Sequence, residues 1–203
     1  MLTARSNSNI KRYLQEGLLV LVPVYDNGAR SAVITREGRH QEGRTVLALV
    51  TNLASAYNYD LPALRRHCSM LLEVKHHVTL ALDEGLVLLP VKVRHAAALG
   101  EMTIGYANMH QIEAVLPPDS EGAALSRIVF YGGFELATIN TVEKIKMRLK
   151  HGEIVQKDFL ARHSQGIRHA GLSRQVLFDQ LPTCDCLLKD LFIDVLKLEG
   201  KKL

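Results

Sequence analysis

Long apolar runs are what this sequence most plainly lacks. Its longest, Leu18–Tyr25 (LLVLVPVY), is a strand's length, well short of the roughly 18 residues a membrane helix requires. No charged segment followed by an apolar one opens the chain, so no secretory leader is read there and a cytoplasmic protein is expected. Cysteine is scarce: Cys68, Cys184 and Cys186 are an odd number in a chain of 203 residues, which does not suit the disulfide framework of a small secreted domain. Cys184 and Cys186 stand too close for the two-residue spacing of a zinc knuckle, and no second pair completes one.

Catalytic signatures are missing as well. The chain has no glycine-rich phosphate loop, no G-x-S-x-G elbow and no H-E-x-x-H. Nine histidines raise the question of a metal, yet their spacing supplies no ligand pair on one helical face. His76 and His77, adjacent at the start of a strand, should point to opposite sides. His110 is placed in a strand, with Glu113 three residues on facing the other way. Asp83 and Glu84 belong to a turn. No metal, no cofactor and no catalytic constellation are expected, and so not an enzyme.

What the chain does have is a packed interior and an uneven charge. The composition is 47% hydrophobic and 23% charged, which suits a globular protein. The net charge is a modest +4. Between Thr141 and Gln175, however, eight Lys and Arg face three Asp and Glu, a surplus of five. The preceding stretch, Glu101 to Asn140, has five acids and only Arg127. A basic region on a near-neutral body is how a phosphate-binding face shows in sequence.

Periodicity organises the rest. LLVLVPVYDNGARSAVITREGR reads as a hairpin turning at Asn27-Gly28, with Pro23 marking an edge or broken strand. RTVLALVT, Arg44 to Thr51, reads as a third strand, buried on both faces. Leu61, Leu64, Cys68, Leu71 and Leu72 give a helical stripe with Pro62 in its first turn. HVTLALDEGLVLLPVKVR is a second hairpin, MTIGYANMHQIEAV one longer strand, and LSRIVFYGGFELATI a third hairpin turning at Gly132-Gly133. A helix then starts at a capping box, Asn140 with Glu143, buries Val142, Ile145 and Leu149, and stops at Gly152. A last helix spans about Cys184 to Leu198. The first eight residues and the last few are expected to be disordered. The fold class expected is α+β, with antiparallel hairpins and meanders, one internal helix and a helical C-terminal third. It is read as a single domain over 1–203, strand-rich over 13–139 with a helix near 60–73, and helical over 140–199.

Three basic groups stand out on this frame. In NTVEKIKMRLKHG, Lys144, Arg148 and His151 share one helical face, and Lys146 and Lys150 another, with Glu143 their only local offset. A second group surrounds the first helix: Arg65, Arg66, His67, Lys75, His76 and His77. The third is Lys92 and Arg94, two apart and so on one face of a strand. If these groups converge, they make a cationic surface large enough for a duplex.

The order and spacing of these segments, from about Tyr13 to Leu198, resemble the bacterial competence transcription factor family (ComK-like). The resemblance runs through GLLVLVPVYDNGARSAVITREG, SAYNYDLPALRR, HHVTLALDEGLVLLPVKV, IGYANMHQIEAV and FYGGFELATINTVEKIKMRLK to RQVLFDQLP and the last helix. Where the family has Gly-Ser-Ser-Tyr, this chain has Ala54-Ser55-Ala56-Tyr57, with Leu61-Pro62 inserted before Arg65-Arg66, and it contains no tryptophan. The resemblance implies a transcriptional activator that binds A/T-rich duplex DNA through minor-groove contacts. It further implies a dimer or pair of dimers, and an adaptor that delivers the protein to an ATP-dependent protease. DNA-binding candidates are then Arg65, Arg66, Lys75, Lys92, Arg94, Lys144, Arg148 and Lys150. Of these, Lys144, Arg148 and Lys150 are assigned to phosphates, and Arg65, Arg66 and Arg94 to positions nearer the groove. The last helix, with Phe192 and Ile193, is the candidate dimer interface, and a nucleoid-associated location follows. A module docking an acidic protein partner is the alternative, and an enzyme acting on an anionic substrate a third.

Overall fold

The structure, a computed structural model, describes residues 2–25, 29–96, 101–118 and 123–169, with side chains from 9 to 163 in those ranges, residue 29 excepted. The chain divides into two compact units, Met1–His163 and Ser164–Leu203. The sheets, the core and the cationic site all belong to the first. Of the second, helical backbone as far as His169 is described. The Asn27-Gly28 turn, Cys184, Cys186 and the helix expected over Cys184 to Leu198 lie outside the described residues.

Antiparallel pairing builds both sheets. β1 (Leu18–Tyr25) and β2 (Ala29–Thr35) form the first hairpin, and β3 (Arg39–Glu42) adds to β2. β4 (Leu80–Asp83) and β5 (Leu86–Lys92) form the second. β6 (Ile104–Asn108) then pairs with β5 on one side and β1 on the other, closing a six-stranded sheet in the order β3-β2-β1-β6-β5-β4. A separate meander holds β7 (Ile112–Leu116), β8 (Ser126–Phe130) and β9 (Glu135–Thr138). Among the described residues the helices are α1 (Leu2–Gln15), α2 (Val46–Ala56), α3 (Leu61–Leu72) and α4 (Val142–His169). The class is α+β, as the pattern predicts. No described helix is long and apolar enough to cross a membrane.

Several elements differ from the sequence expectation, each for a physical reason. The apolar run expected as a third strand is helix α2. Thr45 caps it, its hydroxyl accepting from the Ala48 N–H at 3.2 Å. Val46, Leu49, Val50, Leu53 and Ala54 are buried, the i, i+3, i+4, i+7, i+8 spacing of a helix face; a short apolar run alone does not distinguish the two states. The segment expected to be disordered is part of α1, anchored by buried Ile10 and Tyr13. The single strand expected across MTIGYANMHQIEAV is two strands in two sheets. A 3-10 turn at Met109–Gln111, capped by Asn108, carries the chain from one to the other, so His110 lies in that turn and not in a strand. Pro23 is in the interior strand β1, but the pairing of β1 with β6 ends at Leu21, so its missing N–H leaves no ladder bond unmade on that side.

Both faces of the large sheet are covered. On one, Leu21, Val33, Leu88 and Tyr106 pack with Tyr13 of α1, Leu49 and Leu53 of α2, and Leu64 and Cys68 of α3. On the other, Val20, Ile34, Val91 and Ala107 meet Ile128 and Phe130 of the small sheet and Ile145 of α4. Removal of any one of these leucines to alanine would cost about 2–5 kcal/mol. The close spacing of the layers also fixes two glycines. A Cβ on Gly105 would stand 2.5 Å from the Leu21 carbonyl oxygen, so only glycine lets β6 lie this close to β1. Gly152, expected to end the helix that starts at Asn140, sits inside α4 on its buried face, against Met109 and Leu89.

Candidate anion-binding site

The buried stripe of α4 is where the cationic segment resolves. Ile145, Arg148, Gly152, Val155 and Phe159 are buried, the i, i+3, i+7, i+10, i+14 positions of one face. Arg148, expected on the solvent side with Lys144, is therefore in the core, 5% exposed. Its one side-chain hydrogen bond among the described residues runs from Nη1 to Asn140 Oδ1 at 3.4 Å. Asn140 is not the helix cap; that role falls to Thr141, whose hydroxyl accepts from the Lys144 N–H at 3.3 Å. Asn140 instead ties α4 to the end of β5, its Oδ1 accepting from the Lys92 N–H at 2.7 Å.

Arg148 has no carboxylate within ion-pair range among the described residues. Burial pushes its guanidinium below its usual range, and the nearby Tyr106 partly offsets this. Arginine does not give up its proton at accessible pH, so the charge remains and raises the local potential. His77 registers it: burial first, then Arg148, His76, Lys144 and Lys92, hold its imidazole below the ordinary histidine value. His151 is lowered by burial and by Arg148.

These influences locate the convergence. A cleft of about 410 Å3 opens between α2, α3, the segment Lys75–Val78 and the start of β6. Its cationic wall is Arg65, Arg66, Lys75, His76 and His77. Leu47, Val78, Met102, Ile104 and the ring of Tyr106 form the apolar part. No acid lines it. Arg65 Nη2 donates to the Tyr106 hydroxyl at 2.8 Å, which sets the arginine against the sheet. Lys92 and Lys144 stand close enough to add their charge at His77. Three basic segments distant in sequence thus meet at one end of the large sheet.

His76 and His77 were expected on opposite sides of a strand. They lie in a bend instead, where His77 takes φ +55°, and both line the cleft. Histidine tolerates this left-handed conformation better than most side chains.

Not all the candidate residues join. β5 ends at Lys92, so Arg94 is past the strand and does not share its face. Arg94 folds back on Glu101 at 3.0 Å, donates to the Met102 carbonyl at 3.2 Å and lies over Tyr25. Lys150 is six residues from Lys144, about 120° around the helix at 100° per residue, and looks away from the cleft with Lys146. Elsewhere Arg12, Arg44, Arg127 and Arg162 also pair with carboxylates. Arg65, Arg66, Lys75, Lys92 and Lys144 have no such partner among the described residues.

Tyr106 escaped the sequence reading, and Asn140 was read there only as a helix cap. A lone tyrosine in a short strand is a usable signal, because a buried phenol needs a polar partner. Nothing in sequence separates the buried Arg148 from the exposed lysines beside it. No group of three metal-ligating side chains is found among the described residues. No protein-family model, curated protein or solved structure matches the chain.

Proposed function

We propose that this protein is a DNA-binding transcriptional activator, as its resemblance to the competence transcription factor family implies, and not an enzyme. One observation supports the reading above the others: Arg65, Arg66 and Lys75 line one cleft with no described acid in its wall, Lys92 and Lys144 add their charge at His77 beside it, and none of the five has a carboxylate partner among the described residues. Helix propensity and solubility do not call for such convergence, since a surface evolved for solubility mixes its signs. A duplex does call for it, because neutralised phosphates release counterions.

Roles follow from position. Lys75, Lys92 and Lys144 are assigned to phosphates. Arg66, exposed at the cleft rim, is the groove-reading candidate for A/T-rich DNA, with Arg65 held beside it by Tyr106. A narrow A-tract minor groove has an enhanced negative potential that attracts a guanidinium. Buried Arg148 acts through its field and Arg94 is already paired, so neither is assigned a DNA contact. A two-fold dimer on symmetric sites, a nucleoid location and delivery to a protease by an adaptor complete the proposal, each resting on the resemblance.

Fluorescence anisotropy with an A/T-rich duplex across a salt series tests it. Three phosphates neutralised by Lys75, Lys92 and Lys144 give a log–log slope of about −2.7. Absence of binding at low salt would overturn the reading.

A further inference from the structure

We infer that the cationic cleft is also a binding site for a small organic phosphate: a compact dianionic head on a flat, apolar body. Its two halves differ in chemistry, and each specifies half of the ligand. The head is called for by the cationic wall, which no described acid faces. Tyr106 lines the cleft and its hydroxyl accepts from Arg65, which leaves the phenol's own hydrogen for an acceptor in the cleft. Arg148 does not line the cleft; buried and without a carboxylate partner among the described residues, it adds its charge from behind. Arg65, Arg66, Lys75 and His77 add further donors around them.

Cations that line one cleft with no described acid among them favour an anionic occupant. A phosphate has three terminal oxygens and a charge near two, which suits a guanidinium, an imidazole and a phenol converging from different directions. A carboxylate offers only two oxygens and one charge.

The body is called for by the other wall. Val78, Met102, Ile104 and Leu47 present aliphatic surface and a thioether, with no amide to read polar edges. A volume of about 410 Å3 lies within the range of small-molecule sites. Inorganic phosphate would leave this wall wet.

Calorimetry on the full chain without DNA tests the site, using phenyl phosphate, adenosine 5′-monophosphate, inorganic phosphate and phenol as probes. At least one of the two phosphomonoesters should bind about tenfold or more tightly than inorganic phosphate and phenol, and the tighter of them identifies the body. Tyr106→Phe, which keeps the ring, and Arg66→Ala, which changes an exposed side chain, should each weaken that ester about tenfold, as expected for a lost hydrogen bond to a charged group. Lys150→Ala, on the far side of α4, should leave it unchanged. Circular dichroism and thermal unfolding show whether each variant is folded. The inference fails if neither ester binds better than inorganic phosphate, or if folded Tyr106→Phe and Arg66→Ala both bind like wild type. Because DNA is absent, failure here leaves the duplex measurement untouched, and the converse holds.

Discussion

Replacing Arg148 with methionine should stabilise the protein while weakening its hold on polyanions. The guanidinium is 5% exposed and its hydrogen bond to Asn140 is long, at 3.4 Å. Losing that bond costs about 1 kcal/mol or less. Asn140 Oδ1 is not orphaned by the change, because it still accepts from the Lys92 N–H at 2.7 Å. Against this loss stands the desolvation of an unpaired cation, several kcal/mol even after relaxation. Methionine is unbranched and adapts to the channel the arginine stem occupies. The balance is a gain of about 1–3 kcal/mol, or roughly 2–10 °C in Tm for a protein of this size. Urea unfolding reads the gain as a higher midpoint at unchanged slope, and anisotropy reads the loss of affinity. A variant destabilised by more than about 1 kcal/mol would refute the reasoning, since it would mean that the charge is compensated within the fold. A residue kept at a cost in stability is the pattern expected where activity needs it.

Four other outcomes follow from particular contacts. Lys144→Ala should reduce the DNA salt slope by about one, because one phosphate contact is lost, while Lys150→Ala leaves it unchanged; equal effects would remove the cleft from the assignment. DNA affinity should rise as pH falls through and below about 6.5, the ordinary histidine value, because His77 is held neutral until then by burial and by Arg148, His76, Lys144 and Lys92; His77→Asn should flatten that rise in a pH series of titrations. Burial alone would raise the Glu42 carboxyl, but hydrogen bonds from Arg44 and Tyr13 outweigh it and hold it low. A lowered folded-state value contributes stability above the unfolded carboxylate range that is lost as pH falls through the folded one, so Glu42→Gln should lose part of the acid sensitivity seen in urea midpoints. Gly152→Ala should lose about 1 kcal/mol: the helix gains about 1 kcal/mol in propensity, but the new methyl meets Met109 and stands 3.1 Å from Leu89, and overpacking costs about 1–3 kcal/mol. Met109→Ala in the same background should recover part of it.

Local chemistry made much of the fold legible in sequence. The Glu84-Gly85 and Gly132-Gly133 turns, the alternation in β8, and α3 with Asp60 before it and Pro62 in its first turn carry their own signals. They depend on near neighbours, which a sequence displays. The same signals failed where neighbours were ambiguous. Arg44–Thr51 is apolar almost throughout, and Thr45 as a cap is the one feature that favours a helix over a strand. α1 has few apolar residues and forms because Ile10 and Tyr13 find the sheet.

The cationic content of the site was also visible, since Arg65, Arg66, Lys75 and Lys144 announce themselves by type and clustering. Their meeting was not. It depends on β6 pairing with both β5 and β1, on His77 in a left-handed bend, and on Asn140 tying α4 to Lys92. The pairing of β6 with β1 and the Asn140 tie join residues tens of positions apart. Arg148 shows the limit most clearly. Its sequence neighbours include lysines on an amphipathic helix, and the packing of Ile145, Gly152, Val155 and Phe159 turns that face inward, converting a surface charge into a buried one.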